Sequence, residues 1–137
     1  MSRWPVRPLP DDVPLHFGQP MNRNEPIYKL VPAQLWSEAE ASGRFEGLPV
    51  DLQDGFIHFS TGSQLRETAE KHFKGQTDLL LVAVDPRRLG EELRWEPSRG
   101  GALFPHLYGS LAMDSVIFAT EVAVSPDGRH AFPESIR

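Results

Sequence analysis

Cysteine is absent from this chain of 137 residues. That excludes a disulfide framework and any thiolate metal site, and it fits a reducing compartment. No apolar run approaches the ~20 residues that a membrane helix needs. The N-terminus also lacks the apolar stretch of a signal peptide, so the expectation is a cytoplasmic protein with no membrane partner. A surplus of positive charge is missing too. Fourteen Lys and Arg stand against nineteen Asp and Glu, for a formal charge of −5. This balance favours solubility and argues against nucleic acid as a partner. Arg87, Arg88, Arg94 and Arg99 read as solvated surface residues. The standard nucleotide and hydrolase motifs are missing as well: no Walker phosphate loop, no Gly-x-Gly-x-x-Gly, no His-Glu-x-x-His and no Gly-x-Ser-x-Gly. His58, His106 and Glu96 are competent metal ligands by type, but their spacing carries no metal signature and no metal is expected.

What is present suits one globular domain. Hydrophobic residues make up 39% and charged residues 24%, enough to bury a single core at this length. Three segments are expected: a Pro-rich leader over 1–26, an α+β domain over 27–125, and a tail over 126–137. The leader holds six of the thirteen prolines. Proline fixes φ and removes a backbone donor, so residues 1–20 should be poor in regular structure. Met21 is a candidate internal start, and Trp4, Leu9, Leu15 and Phe17 are available to lie against the body.

Within the domain, residues 27–31 read as a strand. Pro32 suits a helix start, Leu35, Trp36 and Ala39 share a helical face, and Gly43 is a stop. Residues 44–55 read as a loop. Residues 56–60 read as one strand, with Phe56, His58 and Ser60 on one face and Ile57 and Phe59 on the other. Thr61-x-x-Gln64 is a capping box that opens a helix near 62–74. The unbroken run at 79–84 suits a central strand covered on both faces. Further strands are expected at 91–96, where Glu96 points away from Leu93 and Trp95, and at 115–124. Residues 97–109, rich in Gly and Pro, read as loop. The sum is a mixed β-sheet with two main helices.

Five histidines are present, and they differ in promise. His16 and His130 read as incidental, and His72 as a half-exposed helical residue. His58 ends a strand, with one residue between it and Ser60 on the same face, at a helix N-terminus, where unpaired N–H groups favour an anion. His106 lies in a glycine-bounded segment beside Tyr108, which adds an acid/base group and a stacking surface. For both, the alternative is an imidazole packed and hydrogen-bonded in the core. These groups are expected to converge on one cleft.

Two segments carry a resemblance. Gly55-Phe56-Ile57-His58-Phe59-Ser60-Thr61 is followed by a helix, the Leu79–Asp85 strand and Trp95-Glu96. Then comes Phe104-Pro105-His106-Leu107-Tyr108-Gly109. The whole, from about Ile27 to Val124, resembles the bacterial domain of unknown function 952 family. The resemblance implies a fold similar to ADP-ribosyltransferases. In transferases of that fold the first strand carries a His or Arg that grips the dinucleotide. A later strand–helix junction carries aromatic and Ser/Thr groups, and a late Glu activates a ribose hydroxyl. Phe59-Ser60-Thr61 matches the junction. The first strand offers Tyr28 and Lys29 with no His or Arg, so Tyr28 is the ligand-facing candidate there. Glu121 lies on the last strand, but no Glu stands clearly at the late catalytic position. His58 is also similar to a strand histidine of RNA 2′-phosphotransferases, which are basic where this chain is acidic.

Fold alone does not carry function, and the departures leave cofactor and oligomeric state unassigned. The expectation is a nucleotide-like or other small anionic ligand in a His58/His106 cleft, with transferase-like chemistry at those two residues. Ser60, Thr61, Tyr108, Glu96 and Tyr28 would hold the ligand. The alternative is a non-catalytic sensing or interaction module.

Overall fold

The structure is a computed structural model that describes residues 25–98 and 101–136. The expectations for residues 1–20 lie outside the described residues. In chain order the elements are β1 (Ile27–Pro32), α1 (Ala33–Ser42), β2 (Arg44–Phe45), α2 (Pro49–Asp54), β3 (Ile57–His58), β4 (Ser60–Thr61) and α3 (Gly62–His72). They continue with β5 (Leu79–Val84), β6 (Leu93–Pro97), β7 (Leu103–Leu107), β8 (Leu111–Ala112) and β9 (Val116–Glu121). The class is α+β. Every strand pairing among the described residues is antiparallel, so the sheets are not mixed as expected.

The main sheet runs β4-β1-β5-β9. Its inner strand β5 is the Leu79–Val84 run, which has no polar side chain to present to water on either face. Alternation along β1 and β5 sorts the core into two halves. Tyr28, Leu30, Leu79, Leu81 and Ala83 pack against Leu65 and Ala69 of α3. Ile27, Val31, Val82 and Val84 pack on the other side with Trp36 of α1, Phe45, and the inner face of a second sheet. Each fully buried Leu or Ile here stabilises the fold by about 1.5–3 kcal/mol relative to exposure. The tail joins the α3 side: Ile136 is buried there, and the Arg66 guanidinium donates to the carbonyls of Ile136 and Pro133 at 2.7 and 3.2 Å.

The second sheet runs β3-β7-β6, and β2 pairs with β8. Two segments read as loop turn out to be structured. Residues 49–54 form α2, with Pro49 in its first turn and Gly55 as a left-handed C-cap at φ +88°, the positions where those residues cost least. Residues 103–107 form β7, the central strand of the second sheet. A proline is tolerated there for a geometric reason. The N and C=O of one strand residue point to the same side, and the Pro105 carbonyl accepts from Phe59 N–H at 3.0 Å. The missing N–H therefore faces β3, where the neighbouring chain departs, and no bond to β6 is lost.

That departure also divides the strand expected over residues 56–60. Residues 56–60 are not one strand. The chain breaks at Phe59, so that Ile57 and His58 pair with β7 while Ser60 and Thr61 pair with β1. β4 covers only Ile27 and Tyr28 of β1, and a cleft opens where the chain crosses from one sheet to the other.

Candidate functional site

One face of the second sheet carries the polar groups. Ile57, Leu93 and Leu107 turn inward to the core. The alternate residues therefore share the opposite face: Phe56 and His58 from β3 and its approach, His106 and Tyr108 from β7 and its exit, Arg94 and Glu96 from β6. The register places His58 directly opposite His106, and His106 opposite Arg94. The two imidazole rings stand 5.6 Å apart, edge to face. Phe56 locks them, with its ring 4.2 Å from His106 and 4.5 Å from His58.

Each imidazole is backed by a carboxylate at Nδ1. His106 Nδ1 lies 2.8 Å from Glu96 Oε1, which also accepts from the Tyr108 hydroxyl at 2.8 Å. His58 Nδ1 lies 2.6 Å from Asp51 Oδ1. On its far side, His58 Nε2 is 3.0 Å from the Asp54 carboxylate. Both bonds of His58 can be donated at once only by the doubly protonated ring.

Asp51 is the hub. It is 1% exposed, and its carboxylate accepts from the Leu48 and His58 backbone N–H groups at 2.7 and 3.1 Å. It also takes the ammonium of Lys29 at 3.0 Å, and that ammonium donates to the His58 carbonyl at 2.8 Å. Burial alone would raise the Asp51 pKa, but the bond from His58, the Lys29 charge and the Leu48 N–H together hold it below the ordinary range. Burial lowers the Lys29 pKa, against the pull of Asp51. Burial likewise lowers that of His106, against the bond to Glu96. Glu96 is held low by the bonds from His106 and Tyr108, and Tyr108 is raised by the same carboxylate.

Part of this set forms the polar end of a cleft of about 760 Å³. Lys29, Asp51, Asp54, His58, Ser60 and His106 line that end, while Leu30, Leu35, Leu48, Leu65 and Phe104 contribute to an apolar wall. Tyr28 lines it too, with its hydroxyl pKa raised by burial and by Glu25. Such a size and mixture suit a small-molecule site.

The candidates from sequence divide accordingly. His58, His106, Ser60 and Tyr28 meet in the cleft. Ser60 is buried, and its hydroxyl bonds that of Thr68 at 2.8 Å. Glu96 and Tyr108 stand behind His106 and are not among the lining residues. Thr61 is not either: its hydroxyl accepts from Gln64 N–H at 3.2 Å, and Gln64 Oε1 accepts from Thr61 N–H at 3.0 Å. The cap thus takes one of the α3 donors that the sequence had offered to an anion.

Lys29 as a buried cation, Asp51 and Asp54 escaped the sequence reading. The signals were a single Lys inside an apolar strand, which demands a buried counter-charge, and a Pro-start, Gly-stop frame around two aspartates. Among the described residues, no group of three His, Asp or Glu is arranged to hold a metal ion. No described helix is long and apolar enough to cross a membrane.

The model of a family described as protein of unknown function, DUF952, matches residues 30–119. The crystal structure of protein CC0527 from Caulobacter crescentus is 50% identical, with a TM-score of 0.75 over 77% of this chain and 93% of that one. The solution structure of the same protein is 51% identical, with a TM-score of 0.69 over 76% and 90%. No curated protein matches the chain.

Proposed function

The chain belongs to the DUF952 family, and from that premise we propose that its cleft binds a nucleotide-like or other small anionic ligand on which His58 and His106 act as an acid–base pair. The observation that carries this reading is the pair of carboxylate-backed imidazoles, 5.6 Å apart at the polar end of the cleft. A carboxylate on Nδ1 fixes the tautomer and orientation of a ring and leaves Nε2 as the working atom. Two such rings, 5.6 Å apart, can take a proton from an incoming hydroxyl while giving one to a departing oxygen. That is the proton economy of group transfer, and the transferase-like reading follows from it. The apolar wall suits a flat base.

An ADP-ribosyltransferase-like fold belongs to the same proposal. What supports it is the split between two antiparallel sheets with the cleft at the split. The first strand carries Lys29 in place of a gripping His or Arg, and that cation is engaged by Asp51, so a dinucleotide grip of the usual kind is not part of the proposal. A cytoplasmic location fits the absence of cysteine. A non-catalytic sensing module is the second reading, and one observation favours it: both nitrogens of His58 are already engaged by carboxylates.

The test is a thermal-shift screen against nucleotides, dinucleotides and sugar phosphates. A ligand at ~100 times its dissociation constant stabilises the fold by about 2.7 kcal/mol. His58→Ala and His106→Ala should abolish the shift or the turnover while keeping the fold. Loss of binding alone selects the sensing module. Loss of stability with no ligand response in the wild type removes both.

A further inference from the structure

We propose that Asp54 is a built-in occupant of the anion position: its carboxylate holds Nε2 of His58 in the free protein, and the anionic group of a ligand displaces it. This rests on reading the cleft as an anion site and adds how that site is closed and opened.

The two aspartates of α2 differ in what holds them. Asp51 is 1% exposed and tied down by Lys29, two backbone N–H groups and His58 Nδ1. It already fixes the ring, and Phe56 packs against it. A second carboxylate has no orienting task left. Asp54 is 43% exposed, and among the described residues its one ion pair is the 3.0 Å contact with Nε2. Water can solvate it on release, so it leaves at small cost, whereas Asp51 cannot.

The chain is built to let it go. Asp54 is the last residue of a six-residue helix, and the next residue is Gly55 in the left-handed conformation. A Cβ on Gly55 would meet nothing within 4 Å, so this end of α2 is open to solvent.

Charge points the same way. The Lys29 ammonium and the Asp51 carboxylate cancel. With Asp54 in place, its carboxylate repels any second anion at the polar end. With Asp54 turned out, His58 Nε2–H is left aimed at the cleft, and a phosphate or carboxylate oxygen can accept the bond that Asp54 Oδ2 accepts now. Asp54 is thus an internal stand-in for the ligand's own oxygen.

Diethyl pyrocarbonate tests this without knowledge of the ligand. It acylates a ring nitrogen through its lone pair; the Asp54 carboxylate retains a proton on Nε2 in place of that lone pair, and without Asp54 the proton can leave and Nε2 can attack. Peptide mapping by mass spectrometry reads the rate at His58 separately from the other histidines. Asp54→Ala should raise that rate roughly fivefold, the size expected of an exposed ion pair. Asp54→Asn, which keeps the shape and removes the charge, should also raise it. Inorganic phosphate should then protect His58 at several-fold lower concentration in Asp54→Ala than in the wild type. Circular dichroism confirms that both variants fold. An unchanged rate in both variants overturns the proposal, and so does a raised rate with no gain in phosphate protection. If phosphate protects as expected but no nucleotide shifts the melting temperature, the displacement stands and the nucleotide reading falls.

Discussion

The Lys29 ammonium and the Asp51 carboxylate meet at 3.0 Å inside the protein, 7% and 1% exposed. A buried pair of this kind is a poor source of net stability, because taking both charges out of water opposes their attraction. What it provides here is a fixed position for the carboxylate that holds His58. Removing one partner strands the other as a buried charge. Lys29→Met or Asp51→Asn alone should cost about 3–5 kcal/mol in urea unfolding. The double variant should cost clearly less than the sum. Additive losses would show that the two residues do not depend on each other.

Part of the fold and of the site was legible in the sequence, and the limits have physical reasons. The Leu79–Val84 strand declared itself, because no other element tolerates six consecutive apolar side chains so well. The face shared by Phe56 and His58, and the outward turn of Glu96, followed from strand alternation. The segment at 97–109 misled through its glycines and prolines. Pro105 sits in a strand only because the neighbouring chain leaves at Phe59, a tertiary fact that no local pattern carries. Asp51 was hidden for the same kind of reason. A carboxylate in a turn-rich stretch reads as solvated until its partner, 22 residues earlier, is brought against it.

Stability should fall on acidification in two stages. Burial holds the folded His106 below its ordinary value of 6.5. The unfolded chain therefore takes up a proton that the folded chain refuses, and stability drops as pH falls below that value. Glu96 and Asp51 are held below their ordinary 4.5 and 3.8. Their contribution is complete above those values and is lost as pH falls through the depressed ones. Urea midpoints measured from pH 7 to pH 3 should show both stages. His106→Asn should remove the first and weaken the Glu96 part of the second, leaving the Asp51 part. A midpoint that stays flat between pH 7 and pH 5 in the wild type would contradict the burial of His106.

Gly47 guards the hub. Its φ is +119°, a conformation that side chains rarely adopt, and a Cβ there would lie 2.8 Å from the Asp51 Cβ. Gly47→Ala should therefore cost more than ~1 kcal/mol, since strain and collision add. It should also shift the ring signals of His58, because the collision moves the carboxylate bonded to Nδ1. Gly43→Ala is the control. Its φ is +95° with nothing within 4 Å of the added carbon, so it should lose stability through strain alone and leave His58 unmoved.

Phe56 should matter more to the site than to the fold. Its ring lies 4.2 Å from His106, 4.5 Å from His58 and 5.1 Å from Tyr108, so it packs against both imidazoles at once. It is only half-buried, on the polar face of the second sheet. Phe56→Leu keeps most of the apolar volume and removes the flat surface. The stability loss should stay near 1 kcal/mol, the scale of an aromatic contact beyond its area burial. The rings should respond more strongly. Without the stack, His106 keeps its bond to Glu96 and His58 its bond to Asp51, but nothing fixes the edge-to-face angle between them. Ring nitrogen correlation spectra should then show broadened His58 and His106 signals while the backbone spectrum stays that of the folded wild type. Sharp, unshifted ring signals in Phe56→Leu would mean that the carboxylates alone set the geometry. A collapse of the whole spectrum would place Phe56 in the core.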